Sequence, residues 1–394
     1  MDIKAFFKEP GGLTKQPIQN NIKNLCNFEL TEEQEAIIFN DSKNIMVNGV
    51  PGCGKTTTCV LRLVNKLLLK SPNPFNIMII TLVSSVTEEF VTRLIKYLPG
   101  IKLEKKQNST RVTTEYNKNS IEISNYGAFI DSQLRYYQKN GGVLEYEAYG
   151  GKIKEETRYV GDFGKDFSLK KKIYSYLTKQ NKLSFTLKNE KPITGIILDE
   201  VQDYDQVDAG CFASIINNNN IFLECYGDIL QSIFYSVITN KHTKGLALTS
   251  IHILTEAIEN MTKLPLSICF RCPYWHCEFL KIINKKYNKK YNRKEIQSKF
   301  PEPKEEEEAH KIMYFRHGKV GQNVDARETA EILLIQIKTI LECDKDMVGG
   351  EFVVQSPNVN TNKVFQKLEP LLKNNDIRAK YFMTNDGNGN QKTI

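Results

Sequence analysis

The stretch Gly49-Val-Pro-Gly52-Cys-Gly54-Lys55-Thr56 decides the fold. It satisfies the pattern G-x-x-x-x-G-K-[ST] at every defined position. Glycines let the backbone curl until successive N–H groups face one point, which captures phosphate oxygens without special side chains. The apolar run Asn44-Ile-Met-Val-Asn48 precedes the turn, and a helical pattern from Lys55 to Leu69 follows it. That order aims the unpaired amides of a helix N-terminus at the same point. Gly49, Gly52 and Gly54 form the cradle, Lys55 neutralises phosphate charge, and Thr56 offers a hydroxyl to a divalent cation, with Thr57 beside it. ATP with Mg2+ is the ligand this set implies.

A second site lies downstream, where Gly195-Ile-Ile-Leu198 runs into Asp199-Glu200-Val201-Gln202-Asp203. A carboxylate ending a strand sits on the edge where parallel α/β sheets bind their ligands. Asp199 is placed to hold Mg2+, and Glu200 to orient and deprotonate an attacking water. Ile77-Met-Ile-Ile-Thr81 and Ile221-Phe-Leu-Glu-Cys-Tyr226 are further short apolar runs with polar ends. Uniformly apolar strands between helical stretches predict a parallel sheet covered on both faces. The class is α/β, a P-loop NTPase.

Working outward, residues 1–27 are polar, with Pro10, Gly11, Gly12 and Pro17, and predict a flexible arm. Thr31 and Gln34 have capping-box spacing for a short helix. The pattern assigns 28–129 plus 190–260 to a first ATP-binding lobe and the Tyr-, Lys- and Gly-rich 130–189 to an inserted subdomain. A second α/β lobe is expected over 261–394, with strands at 263–269, 311–316, 351–355 and 377–383 and helices at 325–342 and near 360–373. Its basic stretch from Lys281 to Lys299 suits either the tracking of a nucleic-acid backbone or a solvated helix face. The run Glu305 to Glu308 reads as linker.

With 394 residues, the chain is long enough for two or three domains. No apolar run reaches membrane-spanning length, so no membrane partner is expected. Nine cysteines without a paired framework, and no signal-peptide pattern at the start, indicate an intracellular protein. A net charge of +8 suits an acidic partner, though solubility alone accounts for it equally well.

With both sites placed, the chain resembles superfamily 1 helicases of the UvrD/Rep/PcrA group over most of residues 28–275. Phe28-Glu-Leu-Thr31-Glu-Glu-Gln34 looks like the group's Q motif, Asp199 to Asp203 like its DExQD signature, Tyr226-Gly227-Asp228-Ile-Leu-Gln231-Ser232-Ile233 like its GDxxQSI segment, and Ile268-Cys-Phe270-Arg271 like its arginine segment. The resemblance implies two RecA-like domains. It also implies adenine recognition by Gln34 and Phe270, γ-phosphate contacts from Gln231 and Arg271, and coupling of the ATP and DNA sites through Gln202 and Asp203. Plainer readings stay open: Gln34 as a capping glutamine, Gln231 as a loop residue, Phe270 as a core aromatic, Arg271 as a partner of any nearby carboxylate.

Single-stranded DNA is the implied partner. Thr81 and Ser84, with Ser124 and Tyr126, occupy two family segments that hold the strand, and Tyr126 and Tyr235 are candidates for base stacking. Phe234-Tyr235-Ser236-Val237 departs from the family's aromatic-plus-arginine pattern. Cys269, Cys272, His276 and Cys277 suit either zinc or buried thiols. Ile3, Phe6 and Phe7 carry the core of sliding-clamp docking peptides, without the usual preceding glutamine.

Two further family segments, a T-x-H-x-x-K-G-like DNA contact and a second γ-phosphate arginine, are not visible before Ile394. The sequence is then a truncated record, one piece of a split gene with a second polypeptide that supplies them, or a protein that lost full motor action. The expectation is slow hydrolysis with poor unwinding by this chain alone. The competing class is a nucleotide-gated DNA-binding or accessory subunit. A P-loop kinase or GTPase is poorly supported, since no NKxD-type guanine reader occurs.

Overall fold

The computed structural model describes residues 28–68, 74–82, 84–98, 101–106, 109–114, 119–142, 146–148, 152–154, 167–231, 249–290, 293–302 and 363–374, with Ile22, Cys26 and scattered positions between 327 and 338. The chain divides into two compact units, Met1–Lys311 and Ile312–Ile394.

In the first unit, α1 (Glu32–Ile38) leads into β1 (Asn44–Gly49), α2 (Lys55–Leu68), β2 (Asn76–Thr81) and α3 (Ser84–Tyr97). Next come β3 (Ile101–Lys106), β4 (Ser109–Thr114), β5 (Ser120–Asn125), α4 (Tyr126–Lys139), the hairpin strands β6 (Tyr146–Ala148) and β7 (Lys152–Lys154), and α5 (Phe167–Lys179). Then follow β8 (Gly195–Leu198), α6 (Gln206–Asn219), β9 (Phe222–Gly227), α7 (Ser250–Ala257), β10 (Met261–Leu266), β11 (Ile268–Cys269), α8 (Tyr274–Lys290) and β12 (Gln297–Ser298).

Among the described residues the main sheet has eight strands in the order β10-β1-β9-β8-β2-β5-β4-β3. From β10 to β5 every pairing is parallel, while β4 and β3 add an antiparallel edge. Alternation along each strand divides the apolar residues between two cores. Ile45, Val47, Ile77 and Ile79 join residues of α1, α2 and α3 in one core. Met46, Met78, Ile80 and Leu198 join residues of α4, α5, α6 and α7 in the other. This is the α/β P-loop architecture the apolar runs predicted, and it sets the turns after β1, β8 and β9 side by side on one edge.

Two boundaries differ from the sequence expectation. β10 overlaps the 263–269 strand expected of a second lobe, yet it pairs along its whole length with β1. Its partner was not evident because a parallel strand is recruited by a sheet edge, not by sequence proximity. Residues 130–189 are also no independent insertion where described. Phe129, Ile130, Leu134, Ile173, Tyr174 and Leu177 of α4 and α5 are buried in the same core as β8 and α6.

In the second unit, α9 (Lys363–Lys373) buries Leu368 and Leu372 against Ala330. The expected strands at 311–316, 351–355 and 377–383 lie outside the described residues, as do Ile3, Phe6 and Phe7 of the 1–27 arm, whose Ile22 is described and buried. Among the described residues no helix is long and apolar enough to cross a membrane.

Candidate nucleotide site

The turn after β1 has the geometry its glycines require. Gly52 lies at φ +67 and Gly54 at φ +82, a region that L side chains rarely enter. At Gly52 space is short as well: a Cβ there would stand 2.6 Å from the Cβ of Arg271 and 3.0 Å from Cys269 Sγ. A Cβ at Gly49 would meet Cys53 Sγ at 2.6 Å. Lys55 opens α2 and is mostly buried, so its stem is held against the turn. Thr57 accepts a hydrogen bond from the Arg93 guanidinium of α3.

β8 delivers the carboxylates opposite this turn. The Thr56 hydroxyl donates to Asp199 Oδ2 across 3.3 Å, joining the cradle helix to the strand end. Asp199 is fully buried. Burial and the adjacent Glu200 push its carboxyl up to about 6, while the Glu200 amide, Lys55 and Thr56 pull the other way. A buried carboxylate with a hydroxyl beside it is a hard-oxygen donor pair of the kind Mg2+ takes, and the lysine next door suits phosphate. Glu200 adopts the left-handed conformation, φ 48 and ψ 47, which is costly for a residue with a side chain. Its carboxylate accepts from Gln202 Nε2 at 2.8 Å, and Gln202 Oε1 accepts from the Asp228 amide at 3.0 Å. The 199–203 signature and the turn after β9 are thus tied by one glutamine amide. Gln231 closes that turn, its N–H donating to the Asp228 carbonyl at 2.9 Å.

Two flanking segments complete the site. In α1, Thr31 and Gln34 form the capping box, with Thr31 N–H donating to Gln34 Oε1 at 3.0 Å. Gln34 Nε2 faces the cradle, 3.4 Å from where a Gly54 side chain would begin. The capping and binding readings of Gln34 are therefore compatible, since one amide oxygen caps and the amide nitrogen stays available as a donor. The arginine segment is fastened to the cradle by the Phe270 N–H, which donates to the Gly52 carbonyl at 2.9 Å. Arg271 is exposed, with its Cβ against Gly52.

Residues 30–142 match the family model of the UvrD/REP helicase N-terminal domain. This stretch is UvrD-like. No curated protein sequence matches the chain. Among solved structures, the large terminase ATPase domain of Thermus phage P74-26 is similar at 10% identity, over 69% of this chain and 92% of that one, with a TM-score of 0.35. S. cerevisiae dbp5, bound to nup159, gle1, ip6 and adp, is similar at 10% identity, over 70% of this chain and 60% of that one, with a TM-score of 0.32. These two likenesses are distant, and the fold rests on the sheet order and the cradle.

Three of the strand-contact candidates, Thr81, Ser124 and Tyr126, have buried side chains. Tyr126 is 4% exposed, its hydroxyl donates to Asp208 Oδ1 at 2.6 Å, and its ring lies edge-on to Tyr204 at 5.2 Å. It is a core residue with a satisfied hydroxyl and offers no face to a base. Thr81 and Ser124 are likewise fully buried, Thr81 sharing a 2.7 Å hydrogen bond with Thr87 and Ser124 donating to the Asn125 carbonyl. The Ser84 side chain and all of Tyr235 lie outside the described residues.

Two arginines escaped the sequence reading, and a third was misread. Arg62 of α2 is fully buried. It donates to Glu224 Oε1 at 2.9 Å, to the Ile37 and Asn40 carbonyls at 2.6 and 2.7 Å, and to the Ser42 carbonyl at 3.2 Å. It thereby fixes the exit of α1 to β9. The available signal was a pair of opposite charges, each alone in an apolar run: Arg62 in Val60-Leu-Arg-Leu63 and Glu224 in Phe222-Leu-Glu-Cys225. Arg93, beside Thr57, is the other missed one, while Arg293 lies in the stretch Lys281 to Lys299 and is buried. Cys269, Cys272 and Cys277 lie close together, Cys272 N–H donating to Cys269 Sγ at 3.2 Å. Among the described residues no group of three His, Cys, Asp or Glu side chains is arranged to hold a metal.

Proposed function

We propose that the chain is an ATP-dependent helicase or translocase that couples ATP hydrolysis to movement along single-stranded or partly duplex DNA. The observation that carries this reading is the meeting of Lys55, Thr56 and Asp199 at one sheet edge, with the arginine segment hydrogen-bonded to the cradle. The UvrD/REP match over residues 30–142 supports the same reading.

In this reading the cradle amides and Lys55 bind the triphosphate, and Gln34 and Phe270 hold the adenine. Thr56 and Asp199 would hold Mg2+, which supplies charge neutralisation across the β- and γ-phosphates. Glu200 accepts the proton of the attacking water, positioned by its hydrogen bond from Gln202. Gln231 and Arg271 face the γ-phosphate, where a planar guanidinium stabilises charge that develops only in the transition state.

The test is ATP turnover with and without single-stranded DNA. Turnover stimulated by DNA and abolished in Glu200→Gln supports a motor. The competing reading is a nucleotide-gated DNA-binding subunit without unwinding. It predicts DNA affinity that changes with bound nucleotide but no strand separation.

A further inference from the structure

The turn after β9 carries Gln231, yet what holds that turn is a residue 62 positions beyond it. Asp228 is fully buried at the start of the turn. Its Oδ1 accepts the Leu230 N–H at 3.0 Å, the local bond by which an aspartate closes a turn on itself. Its Oδ2 accepts from Arg293 Nη2 at 2.8 Å, and the Arg293 side chain is only 3% exposed. Burial pushes the Asp228 carboxyl up, and the Arg293 guanidinium leads the groups that hold it down.

Arg293 is itself fixed. Its Nη1 donates to Asn288 Oδ1 at 3.1 Å and its backbone N–H to the Asn288 carbonyl at 2.9 Å. It stands between α8 and β12, and β12 pairs with β11. Arg271 leaves the end of β11 against Gly52, while Arg293 reaches the turn after β9 from the far end of α8. One β11–α8–β12 module therefore grips the cradle at one end and the Gln231 turn at the other. From Arg293 a chain of polar contacts runs through Asp228 and Gln202 to Glu200. A lone lysine ammonium could meet Asp228 but could not span Asp228 and Asn288 with a planar fork.

We propose that Arg293 is a positioning residue for hydrolysis: its ion pair with Asp228 sets the Asp228–Gln231 turn, and through Gln202 the Glu200 carboxylate, relative to the cradle. The proposal rests on the ATPase reading above. It assigns part of the basic stretch Lys281 to Lys299 to the inside of the enzyme, not to a nucleic-acid track.

The experiment compares the full chain with Arg293→Ala and Arg293→Lys by two readouts, Mg-ATP kinetics and amide hydrogen exchange. In Arg293→Ala, kcat is expected to fall roughly 100-fold, the loss that a displacement of about 1 Å produces, with KM for ATP nearly unchanged. Arg293→Lys recovers part of the loss. The Leu230 and Gln231 amides exchange at least about tenfold faster in Arg293→Ala, while α2 stays protected, as expected of a local opening. Unchanged exchange at 230–231 with unchanged kcat overturns the proposal. So does loss of protection throughout α2, which would make Arg293 a general folding residue. If the unaltered chain shows no ATP turnover, the ATPase reading fails instead, and the exchange comparison alone judges whether the ion pair holds the turn.

Discussion

Along one edge of the sheet, the turn after β1 and the turns after β2 and β5 use their polar groups in opposite ways. After β1 the polar side chains reach across to other elements: Thr56 to Asp199, and Thr57 to Arg93. After β2 and β5 they are buried: Thr81 bonds Thr87, Ser124 bonds the adjacent carbonyl, and Tyr126 bonds Asp208 of α6 within the core. The first turn suits a charged guest, because its glycine-shaped backbone and Lys55 stand beside the Thr56–Asp199 pair. At the others the described polar side chains are buried.

The contrast can be broken most severely at Lys55. Replacing it with alanine leaves the cradle amides but removes the cation that meets the β- and γ-phosphates. Hydrolysis of ATP is expected to fall by roughly 10²–10³-fold or more, the scale set by loss of one preorganised charge-stabilising group. A steady-state assay that found near-normal turnover would place the nucleotide elsewhere.

Next in size is Arg62→Ala, which leaves Glu224 in the core with Lys66, 3.1 Å away, as its charged neighbour among the described residues. Removing one partner of a buried pair costs about 3–5 kcal/mol. Urea unfolding should show that loss, and an unaffected midpoint would mean that the α1–β9 tie is dispensable.

Asp199 supplies a pH-dependent test. Its carboxyl stands near 6 in the fold against an ordinary 3.8, so the folded chain holds the proton more tightly than the unfolded one. The stability this group contributes is fully present below its ordinary value and is lost as pH rises through about 6. In the nucleotide-free chain at pH 8, Asp199→Asn should therefore raise the melting temperature by a few °C. It should also abolish the extra stabilisation given by Mg2+ with nucleotide. In the unaltered chain that stabilisation should weaken below pH 6. A lower melting temperature for the variant would contradict the burial argument.

Tyr126→Phe is the smallest change and sharpens the comparison from the other side. Loss of the hydroxyl bond to Asp208 should cost about 1 kcal/mol of stability. Affinity for an oligothymidine strand should not move. A drop in that affinity without a loss of stability would return Tyr126 to the strand site.

These residues also explain which parts of the molecule were legible in the sequence. The cradle could be read because its function lies in the backbone: glycine at φ +67 and +82 has few substitutes, so the residue types declare the shape. The apolar strands could be read because both faces of the sheet are covered. Thr81, Ser124 and Tyr126 misled because a hydroxyl is equally at home facing a phosphate or closing an internal bond, and residue type does not distinguish the two. The Arg62–Glu224 and Arg293–Asp228 pairs were hidden for a different reason: they join positions 162 and 65 residues apart. β10 was misassigned on the same ground, since its partner β1 lies more than 200 residues earlier.

The most direct measurement is calorimetric titration of the full chain with a non-hydrolysable ATP analogue, with and without Mg2+, alongside Lys55→Ala. Saturable binding at one site, strengthened by Mg2+ and lost in the variant, is the predicted result. Absence of binding heat in the presence of Mg2+, or equal binding by Lys55→Ala, would contradict it.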